Sequence, residues 1–412
     1  MKKYVIIGNG TAAIGCAEGI RSIDKNAPIT IVSTEKHHVY CRPLISYYLE
    51  GKTDTERMKY RPDDFYEKNG CTVLYEKTAK AIDRKEKKVL LNDKKSIAYD
   101  ELCLATGSTP VIPKIPGADA IKNKFTFTTL DDALALEKAL TKESKVLILG
   151  AGLIGLKCAE GLYNKVSQIT VCDLADGILS SILDVDSAAM VQKHLESYGI
   201  RFFLNDSVTS FKENTATLKR GNTIDFDAVV FAVGSKANNE LIKEIGGSCN
   251  RGITVDDAMK TSVEHIYAAG DCTESKDISD DTVKVMALMP NAYLQGYCAG
   301  VNMAGGTEKF ANAIPMNAIG FFGLHTLTAG TSTREGATYE EADKDHIKKL
   351  FTKDGKLTGF ILIGEVERAG IYTNMIRNKI PLDSVDFDDL KKIPNLFAFA
   401  PEYRRKILGG VI

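Results

Sequence analysis

Two glycine-rich turns in the first half of the sequence have the residue types and spacing needed to hold a dinucleotide. They are Gly8-Asn9-Gly10-Thr11-Ala12-Ala13 and Gly150-Ala151-Gly152-Leu153-Ile154-Gly155. In such a turn the first glycine permits a tight bend, the second lets the backbone approach a pyrophosphate, and a small third residue allows close helix packing. A helix that begins there offers free N–H groups to the phosphates. The residues expected to contact the two dinucleotides are Gly8, Gly10, Thr11 and Ala12 in one unit, and Gly150, Gly152, Leu153, Ile154 and Gly155 in the other.

An acidic residue is expected after the second strand of each unit, because a carboxylate there accepts hydrogen bonds from both ribose hydroxyls. Asp173 follows the apolar run Ile169-Thr170-Val171-Cys172, 23 residues after the first glycine of its turn. No Arg or Lys occurs between Asp173 and Met190 to bind a 2′-phosphate, so this unit is predicted to prefer NAD(H) over NADP(H). In the first unit the candidate is Glu35, with a solvent-exposed surface glutamate as the alternative.

These residues must be positioned by strands and helices that repeat along the chain. An apolar segment precedes each turn, and a second apolar segment follows at residues 29–32 and 169–172. Because strand, turn, helix and strand recur about 140 residues apart, the pattern predicts an α/β fold with two βαβ units in parallel sheets. Further strands are predicted to end at Ala105-Thr106-Gly107, Ala232-Val233-Gly234 and Ala268-Ala269-Gly270-Asp271.

The last hundred residues have a different pattern. Alternating apolar and polar residues around 313–331, 346–352 and 357–363 predict an antiparallel sheet, and 365–377 predicts a helix. Another helix is predicted from Pro290 to about Met303, with Asn291 near its N-cap. We therefore predict a discontinuous first domain over 1–115 and 243–312, a second nucleotide-binding domain over 116–242 and a C-terminal α+β domain over 313–412.

Composition and charge argue against several classes of protein. The 412 residues are 44% hydrophobic and 26% charged, which suits a globular chain with a sizeable core. The 53 Lys and Arg nearly balance the 54 Asp and Glu, so neither nucleic acid nor a membrane surface is the expected partner. The first apolar run stops at Gly8 and no run approaches the roughly 20 residues that cross a bilayer, which favours a cytoplasmic protein without a signal peptide.

The nine cysteines are spread along the chain, and no two lie closer than 14 residues. There is therefore no CxxC dithiol and no clustered metal or iron–sulfur spacing, and no metal site is predicted. Most of the cysteines are expected to be small buried hydrophobic residues. Cys41 is the exception, because the neighbouring Arg42 is a cation able to lower the pKa of a thiol and make it reactive.

Five motifs, in this order along the chain, resemble those of the FAD-dependent pyridine nucleotide-disulfide oxidoreductases. They are Gly8-Asn9-Gly10, Ala105-Thr106-Gly107, Gly150-Ala151-Gly152-Leu153-Ile154-Gly155, Ala232-Val233-Gly234 and Tyr267-Ala268-Ala269-Gly270-Asp271. Residues 40–49 and Pro290-Asn291-Ala292 are similar to the branch of NADH:rubredoxin and ferredoxin reductases, which includes the nitrite reductase flavin module. The resemblance covers residues 1–310 strongly and 313–412 more weakly. It implies a glutathione reductase-like fold with FAD in the first domain and NAD(H) in the second.

The resemblance also assigns residues to the two cofactors. Asp271 would hydrogen-bond the ribityl chain, and the N–H of Ala292 would lie near the pyrimidine edge of the flavin, where a helix N-terminus stabilises negative charge. Arg42 would lie near the ring or the pyrophosphate, with a surface arginine as the alternative. The further implied cofactor contacts are Pro43, Ala79 at the adenine, Ala105, Thr106, Gly107, Val233 and Gly234.

The sequence departs from the family pattern at two positions. Lys157 stands where family members commonly carry Glu near the nicotinamide, and Ala237 stands where Pro is usual. A cation beside NAD⁺ is unfavourable, so Lys157 is expected to point away or to pair with Glu160. The change at Ala237 is expected to affect only a loop.

The function implied by the resemblance is electron movement between NAD(H) and a small iron–sulfur carrier of the ferredoxin or rubredoxin type, in either direction. Such a carrier can in turn serve a larger redox enzyme. One alternative is a single-cysteine reductase of peroxide, CoA disulfide or persulfide that acts through Cys41. Such relatives typically have Gly after the cysteine, whereas Arg42-Pro43 follows here, as in the carrier-reducing branch. A second alternative is a flavin-loaded redox sensor or scaffold.

Three features of the C-terminal domain allow both a structural and a functional interpretation. His325 is predicted to be a core or interface residue rather than an acid catalyst. Phe321 and Phe322 are predicted to be core residues, with shielding of a flavin edge as the alternative. The run Arg404-Arg405-Lys406 is predicted to be a solvated end, with a docking contact for an acidic ferredoxin as the alternative.

Overall fold

The computed structural model of the chain describes residues 1–331 and 337–408, with side chains as far as residue 405 in the last helix. In chain order its strands are β1 (Tyr4–Ile7), β2 (Ile29–Val32), β3 (Cys71–Leu74), β4 (Ala79–Asp83), β5 (Lys88–Leu91), β6 (Ser96–Ala98), β7 (Glu101–Leu104), β8 (Ser108–Pro110), β9 (Lys124–Phe125), β10 (Lys145–Leu149), β11 (Gln168–Cys172), β12 (Arg201–Phe203), β13 (Val208–Lys212), β14 (Thr215–Leu218), β15 (Thr223–Asp225), β16 (Ala228–Phe231), β17 (Ser235–Ala237), β18 (Ile266–Ala268), β19 (Glu274–Lys276), β20 (Val283–Val285), β21 (Met316–Phe321), β22 (Leu324–Gly330), β23 (Tyr339–Ala342), β24 (Ile347–Lys353) and β25 (Lys356–Ile363).

The α-helices are interspersed among these strands. They are α1 (Thr11–Ile23), α2 (Ile45–Leu49), α3 (Phe65–Lys68), α4 (Leu130–Ala139), α5 (Leu153–Leu162), α6 (Val185–Ser197), α7 (Glu240–Glu244), α8 (Met289–Met303), α9 (Gly370–Arg377), α10 (Phe387–Leu390) and α11 (Pro401–Leu408). Three short 3₁₀ segments lie at Arg42–Leu44, Ala118–Ala120 and Leu382–Ser384. Among the described residues, no helix is both long and apolar enough to cross a membrane.

Two parallel five-stranded sheets carry the two glycine-rich turns. The first has the order β18-β7-β1-β2-β3 and the second the order β12-β11-β10-β16-β9. The central strands β1 and β10 are fully buried apart from Lys145, as their apolar sequences require. The predicted α/β fold with two Rossmann-like units is therefore confirmed. Because β18 pairs with β7 after the whole second sheet has intervened, the topology supports our proposal of a discontinuous first domain.

Two short strands connect the first domain with the inserted one. β8 leads into the insertion and β17 leads out of it, and they pair antiparallel, with Ala237 opposite Ser108. Asn238 then binds back to the first domain, donating from its side chain to Thr106 O at 2.8 Å and accepting from Thr106 Oγ1 at its carbonyl at 2.7 Å. Ala237 is 5% exposed within β17, so the expectation of a loop change at this position is wrong.

Helices α1 and α8 touch backbone to backbone. A Cβ built on Gly15 or Gly19 of α1 would lie 2.3 or 2.2 Å from a carbonyl oxygen of α8. A Cβ on Gly296 or Gly300 of α8 would lie 2.0 or 2.1 Å from a carbonyl oxygen of α1. No side chain fits at these four positions. Because the side chains are absent, the two helices touch directly, which fixes the N-terminus of α8 relative to the first glycine-rich turn.

The C-terminal domain contains an antiparallel sheet of order β21-β22-β25-β24-β23, with α9 packed on β25. Its strands β21, β22, β24 and β25 lie within the predicted alternating runs or overlap them closely, whereas β23 is an addition. The helix predicted over 365–377 begins only at Gly370. The N-cap of α8 is Leu288, whereas Asn291, which was predicted near the N-cap, lies in the first turn of the helix.

Candidate functional site

The first glycine-rich turn leaves open space in front of α1. Gly8 has φ +114°, and a Cβ there would lie 2.0 Å from Ala105 O, so only glycine fits. A Cβ on Gly10 would instead meet no atom of the described residues within 4 Å. The turn is therefore closed toward the protein and open toward the space that a pyrophosphate needs, with Thr11 and Ala12 forming the first residues of α1.

The second turn has the same geometry. Gly150 has φ +112° and its Cβ would lie 2.3 Å from Ala232 O, whereas a Cβ on Gly152 would meet no described atom within 4 Å. A Cβ on Gly155 would lie 2.0 Å from Gly150 O, so this third glycine allows α5 to approach its own turn closely. Leu153 and Ile154 are the first two residues of α5.

Among the longer helices, capping distinguishes the candidate cofactor helices from the other two. Five helices in the described part of the chain have ten residues or more, and two of them have side-chain caps. Thr129 accepts from Asp132 N at 3.1 Å in α4, and Asp184 accepts from Ser187 N at 3.0 Å in α6. In α1, α5 and α8 no described side chain caps the N-terminus. Their first N–H groups are thus left for a ligand, which fits one dinucleotide at each glycine-rich turn and a flavin edge at α8.

The start of α8 corrects the assignment of Ala292. The N–H of Ala292 donates to Leu288 O at 2.9 Å, so it is already used within the helix. Pro290 has no N–H, and the groups without an intrahelical partner are by position those of Met289 and Asn291. The helix N-terminus keeps its proposed role, but the donors lie one to three residues before Ala292.

Arg42 and Glu35 form an ion pair beside the first turn. The guanidinium of Arg42 binds one oxygen of Glu35 and also donates to Thr128 O at 3.1 Å. Tyr40 donates to the other Glu35 oxygen at 2.7 Å and accepts from Leu130 N at 2.9 Å. Glu35 is thus engaged in an ion pair, and its ribose contact stays a prediction.

Sequence reasoning missed Tyr40 as a residue of this site. Its hydroxyl connects Glu35 with the first turn of α4 in the inserted domain. The only local signal was its position next to the Cys41-Arg42 pair.

Asp271 lies in the turn that follows β18. Burial raises the pKa of its carboxyl, and Arg42 is near enough to oppose that shift. The preceding Gly270 donates its N–H to Gln295 Oε1 of α8 at 2.7 Å, which ties this turn to α8. The structure therefore brings Arg42, Asp271 and the start of α8 to the same side of the first sheet.

Asp173 is built into the second turn. Its two carboxylate oxygens accept from Ala151 N at 2.6 Å and from Ala175 N at 2.8 Å. Each oxygen retains a second lone pair, so the carboxylate can still accept from a ribose hydroxyl. The contact with Ala151 holds the acid against the residue between Gly150 and Gly152, where the predicted dinucleotide passes.

The remaining predicted contacts occupy several loops and strand ends. Thr106 and Gly107 lie where the chain leaves the first sheet, and the hydroxyl of Thr106 is bound to Asn238 O. Pro43 lies in the 3₁₀ segment after Cys41, and Ala79 is the first residue of β4. Val233 is 44% exposed and Gly234 has open space at its Cβ position, so both face solvent or a ligand after β16.

Cys41 lies near the start of α8, with its Sγ 3.8 Å from Met289 Sδ. Burial raises the pKa of its thiol. Arg42 turns to Glu35 and Thr128 instead of activating this thiol, which contradicts the idea of an arginine-stabilised thiolate.

Lys157 is paired with Glu160, as one of our two expectations stated. It also donates to Gly320 O at 3.2 Å in the hairpin of β21 and β22. Phe321 in that hairpin is fully buried, and Phe322 stacks on Tyr198 with the ring centroids 4.1 Å apart.

The polar C-terminal candidates lie elsewhere on the C-terminal domain. His325 was predicted to be a core or interface residue; it is exposed, so it is not in the core, and the interface alternative stays a prediction. Arg404 lies over the ring of the exposed Phe397, Arg405 is exposed, and the side chain of Lys406 lies outside the described residues.

Comparisons with known proteins agree with this architecture. The family model described as pyridine nucleotide-disulphide oxidoreductase matches residues 2–296. The chain is 32% identical over 391 residues to the NADH-dependent phenylglyoxylate dehydrogenase subunit epsilon of Aromatoleum evansii, covering 92% of each. It is 27% identical to the NADH-rubredoxin oxidoreductase of Clostridium acetobutylicum, covering 88% of this chain and 91% of the relative.

Solved structures show the same fold, and some relatives are longer proteins. The NAD-dependent persulfide reductase of A. fulgidus has a TM-score of 0.86 and 27% identity, covering 97% of this chain and 80% of that one. The chain spans about half the length of two Bacillus subtilis relatives, a nitrate reductase electron transfer subunit and a nitrite reductase. The sequence-based resemblance and the prediction of an FAD-dependent NAD(H) oxidoreductase are confirmed. The chain belongs to the pyridine nucleotide-disulphide oxidoreductase family.

Proposed function

We propose that this enzyme moves electrons between NAD(H) and a small iron–sulfur carrier of the ferredoxin or rubredoxin type through a bound FAD. The observation that carries the proposal is the trio of uncapped helix N-termini at α1, α5 and α8, two of them behind open glycine-rich turns. The similarity to an NADH-rubredoxin oxidoreductase supports the choice of acceptor. Either direction of electron flow is compatible with these residues.

When bound, FAD supplies the exchange of a hydride with the nicotinamide and of single electrons with a carrier. The residues of the chain bind and orient the reactants. The N-termini of α1 and α5 bind phosphates, and Asp173 accepts from the ribose of NAD(H). The N-terminus of α8 stabilises negative charge at the flavin edge, and the same part of the site contains Arg42 and Asp271. These site assignments and the three domain boundaries are part of the proposal.

The cysteines favour electron transfer to a carrier over thiol chemistry. All nine are free, and the sequence provides no dithiol pair of CxxC type. Burial raises the pKa of Cys41, which disfavours the thiolate that a nucleophile needs.

A second candidate function is a single-cysteine reduction of persulfide, peroxide or CoA disulfide. The contact between Cys41 Sγ and Met289 Sδ favours it, because it places the thiol at the start of the helix proposed to face the flavin. The fold shared with a persulfide reductase is compatible with this candidate.

The variant Cys41→Ser separates the two candidates, with Cys249→Ser as a matched control at another half-buried cysteine. Flavin bleaching by NADH and its reoxidation by purified rubredoxin or ferredoxin are followed separately by stopped-flow absorbance. We expect both variants to match the wild type in both steps. Loss of turnover with every acceptor in Cys41→Ser alone, with bleaching intact, would establish the thiol mechanism instead.

The cellular context follows from the same proposal. We expect a cytoplasmic protein that works with its carrier alone or as the NADH-oxidising subunit of a larger redox enzyme. The similarity to a dehydrogenase subunit supports the second arrangement. Co-purification of a tagged chain from its host would identify a stable complex, and a single polypeptide at the mass of the chain would favour the free carrier reductase.

A further inference from the structure

A buried ion pair on α5 joins three parts of the molecule. Lys157 and Glu160 are 16% and 4% exposed, and their side chains bind each other directly. Lys157 Nζ donates to Gly320 O at 3.2 Å, and Glu160 Oε1 accepts from Phe322 N at 2.7 Å. The pair therefore satisfies one acceptor and one donor at the tip of the β21–β22 hairpin.

The same ammonium also contacts two aromatic rings, one of them in α2. Lys157 Nζ lies 4.7 Å from the ring centroid of Tyr47 in α2 and 5.6 Å from that of Phe321. Helix α2 follows the segment with Cys41 and Arg42 at once, and its Ser46 O would lie 3.0 Å from a Cβ on Gly161 of α5. A desolvated cation between two aromatic rings is stabilised by both of them.

The hairpin tip is held by further contacts with the inserted domain. His194 Nε2 lies 2.9 Å from Phe321 O, and Phe322 stacks on Tyr198 with an angle of 11° between the rings. Phe322 has φ +48°, an unusual value for a bulky residue, so the tip is kept in a strained conformation by what surrounds it. Glu160 binds the N–H of this strained residue, and Lys157 binds the carbonyl two residues before it.

We propose that Lys157 is a positioning residue that latches α5 to the hairpin and to α2 and so sets the distance between the nicotinamide and the flavin. The inference rests on the proposed function, in which α5 binds NAD(H) at its N-terminus. Lys157 lies five residues after Gly152, about 7.5 Å along the helix axis, and Glu160 neutralises its charge. Loss of the latch therefore affects the approach of the nicotinamide more than phosphate binding.

The test compares Lys157→Met, which keeps the aliphatic stem, with Lys157→Arg and with the control Lys349→Met. Lys349 is another buried interdomain cation, 3% exposed, whose Nζ lies 2.8 Å from Asp184 Oδ2 at the start of α6. Two readouts are used on FAD-loaded protein: amide hydrogen exchange of the 316–324 segment without NADH, and the rate of flavin bleaching against NADH concentration. Lys157→Gln replaces Lys157→Met if the latter does not fold.

We expect faster exchange of the hairpin tip in Lys157→Met and a bleaching rate at saturating NADH lower by about tenfold, because small misplacements of reacting groups are costly. The half-saturating NADH concentration should change little, and Lys157→Arg should restore most of the rate. Lys349→Met should lose thermal stability but keep hairpin protection and bleaching rate.

Two results would overturn the proposed role of Lys157. One is unchanged amide hydrogen exchange of the hairpin tip in Lys157→Met or Lys157→Gln, and the other is an equal loss of the flavin bleaching rate in Lys349→Met. Failure of NADH to bleach the wild-type flavin would instead reject the proposed function, and the exchange data would still decide whether Lys157 holds the hairpin.

Discussion

The two dinucleotide-binding units have the same phosphate-binding geometry but hold their acids differently. In the second unit Asp173 follows its strand directly and binds the N–H of Ala151 within the turn. In the first unit Glu35 stands three residues beyond β2 and is held by side chains, namely Arg42 and Tyr40. The acid of the second unit is part of the turn itself, whereas that of the first belongs to an ion-pair network that also reaches α4.

The helices of the two units are also supported differently. Helix α1 is in backbone contact with α8. Helix α5 approaches α2 less closely, since a Cβ on Gly161 would lie 3.0 Å from Ser46 O, and it binds the hairpin tip through side chains. The duplicated motif thus fixes only the phosphate-binding end. The two units differ in their acids and in the segments that pack on their helices, which are α8 in the first unit and α2 with the hairpin tip in the second.

The largest expected effect comes from filling the open space at each glycine-rich turn, one variant at a time. Gly10→Leu should yield colourless protein with FAD affinity lowered by about 1000-fold, because a side chain enters the pyrophosphate space. Gly152→Leu should retain FAD but lose bleaching by NADH. Absorbance spectra and flavin release on denaturation provide the measurement. An exchange of the two phenotypes would reverse our assignment of the cofactors.

The next effect concerns nucleotide choice at the second unit alone. The wild type should prefer NADH over NADPH by about 100-fold in kcat/KM, because Asp173 repels a 2′-phosphate. Asp173→Ser should narrow this preference, and Glu35→Ser should leave it unchanged. Steady-state assays with both nucleotides give the ratio, and equal use by the wild type would refute the interpretation of Asp173.

Because α1 and α8 touch more closely than α5 and α2, matched glycine variants at the two contacts should differ in stability. In Gly296→Ala the new Cβ meets Ala12 O at 2.0 Å, so α1 and α8 must separate, at a cost of about 2 kcal/mol in the free energy of unfolding. In Gly161→Ala the nearest atom is at 3.0 Å, and the better helix propensity of alanine offsets the strain. Urea unfolding of both proteins measures the difference, and similar values would argue against backbone contact as the distinguishing feature.

The smallest expected effect is that of Glu35→Gln. Loss of the ion pair with Arg42 and of an ionised acceptor for a ribose should weaken FAD binding by about tenfold without changing the rate of bleaching by saturating NADH. Fluorescence titration of apoprotein with FAD measures the affinity. Unaltered affinity would indicate that Glu35 only anchors Arg42 and Tyr40.

The sequence predicted those features that depend on local pattern. The apolar runs before the two turns became β1 and β10, and the helix expected from Pro290 to Met303 is α8. The glycine spacing located both phosphate-binding turns because the backbone conformations and close contacts it requires are local.

Features that depend on contacts between distant segments were not predictable in this way. The ion pair of Glu35 is completed by Thr128 and Leu130, and the latch of Lys157 by residues 320–322. No local pattern encodes such contacts, because they arise only when segments more than 80 residues apart in the sequence pack together. Helix α8 starts one residue before the predicted Pro290, and its N-cap lies three residues before Asn291, because Pro290 occupies N2 instead of marking the start.

Strand β18 is synthesised long after the other strands of its sheet, which affects the order of folding during synthesis. The second sheet is complete once residue 231 has left the ribosome, whereas the first still lacks β18, and the glycine face of α1 stays uncovered until α8 has emerged. Because domains generally fold as units while the chain elongates, we expect the inserted domain to fold first. We expect the nascent first sheet to keep an open edge at β7 until β18 is made, and such an edge is a template for incorrect pairing.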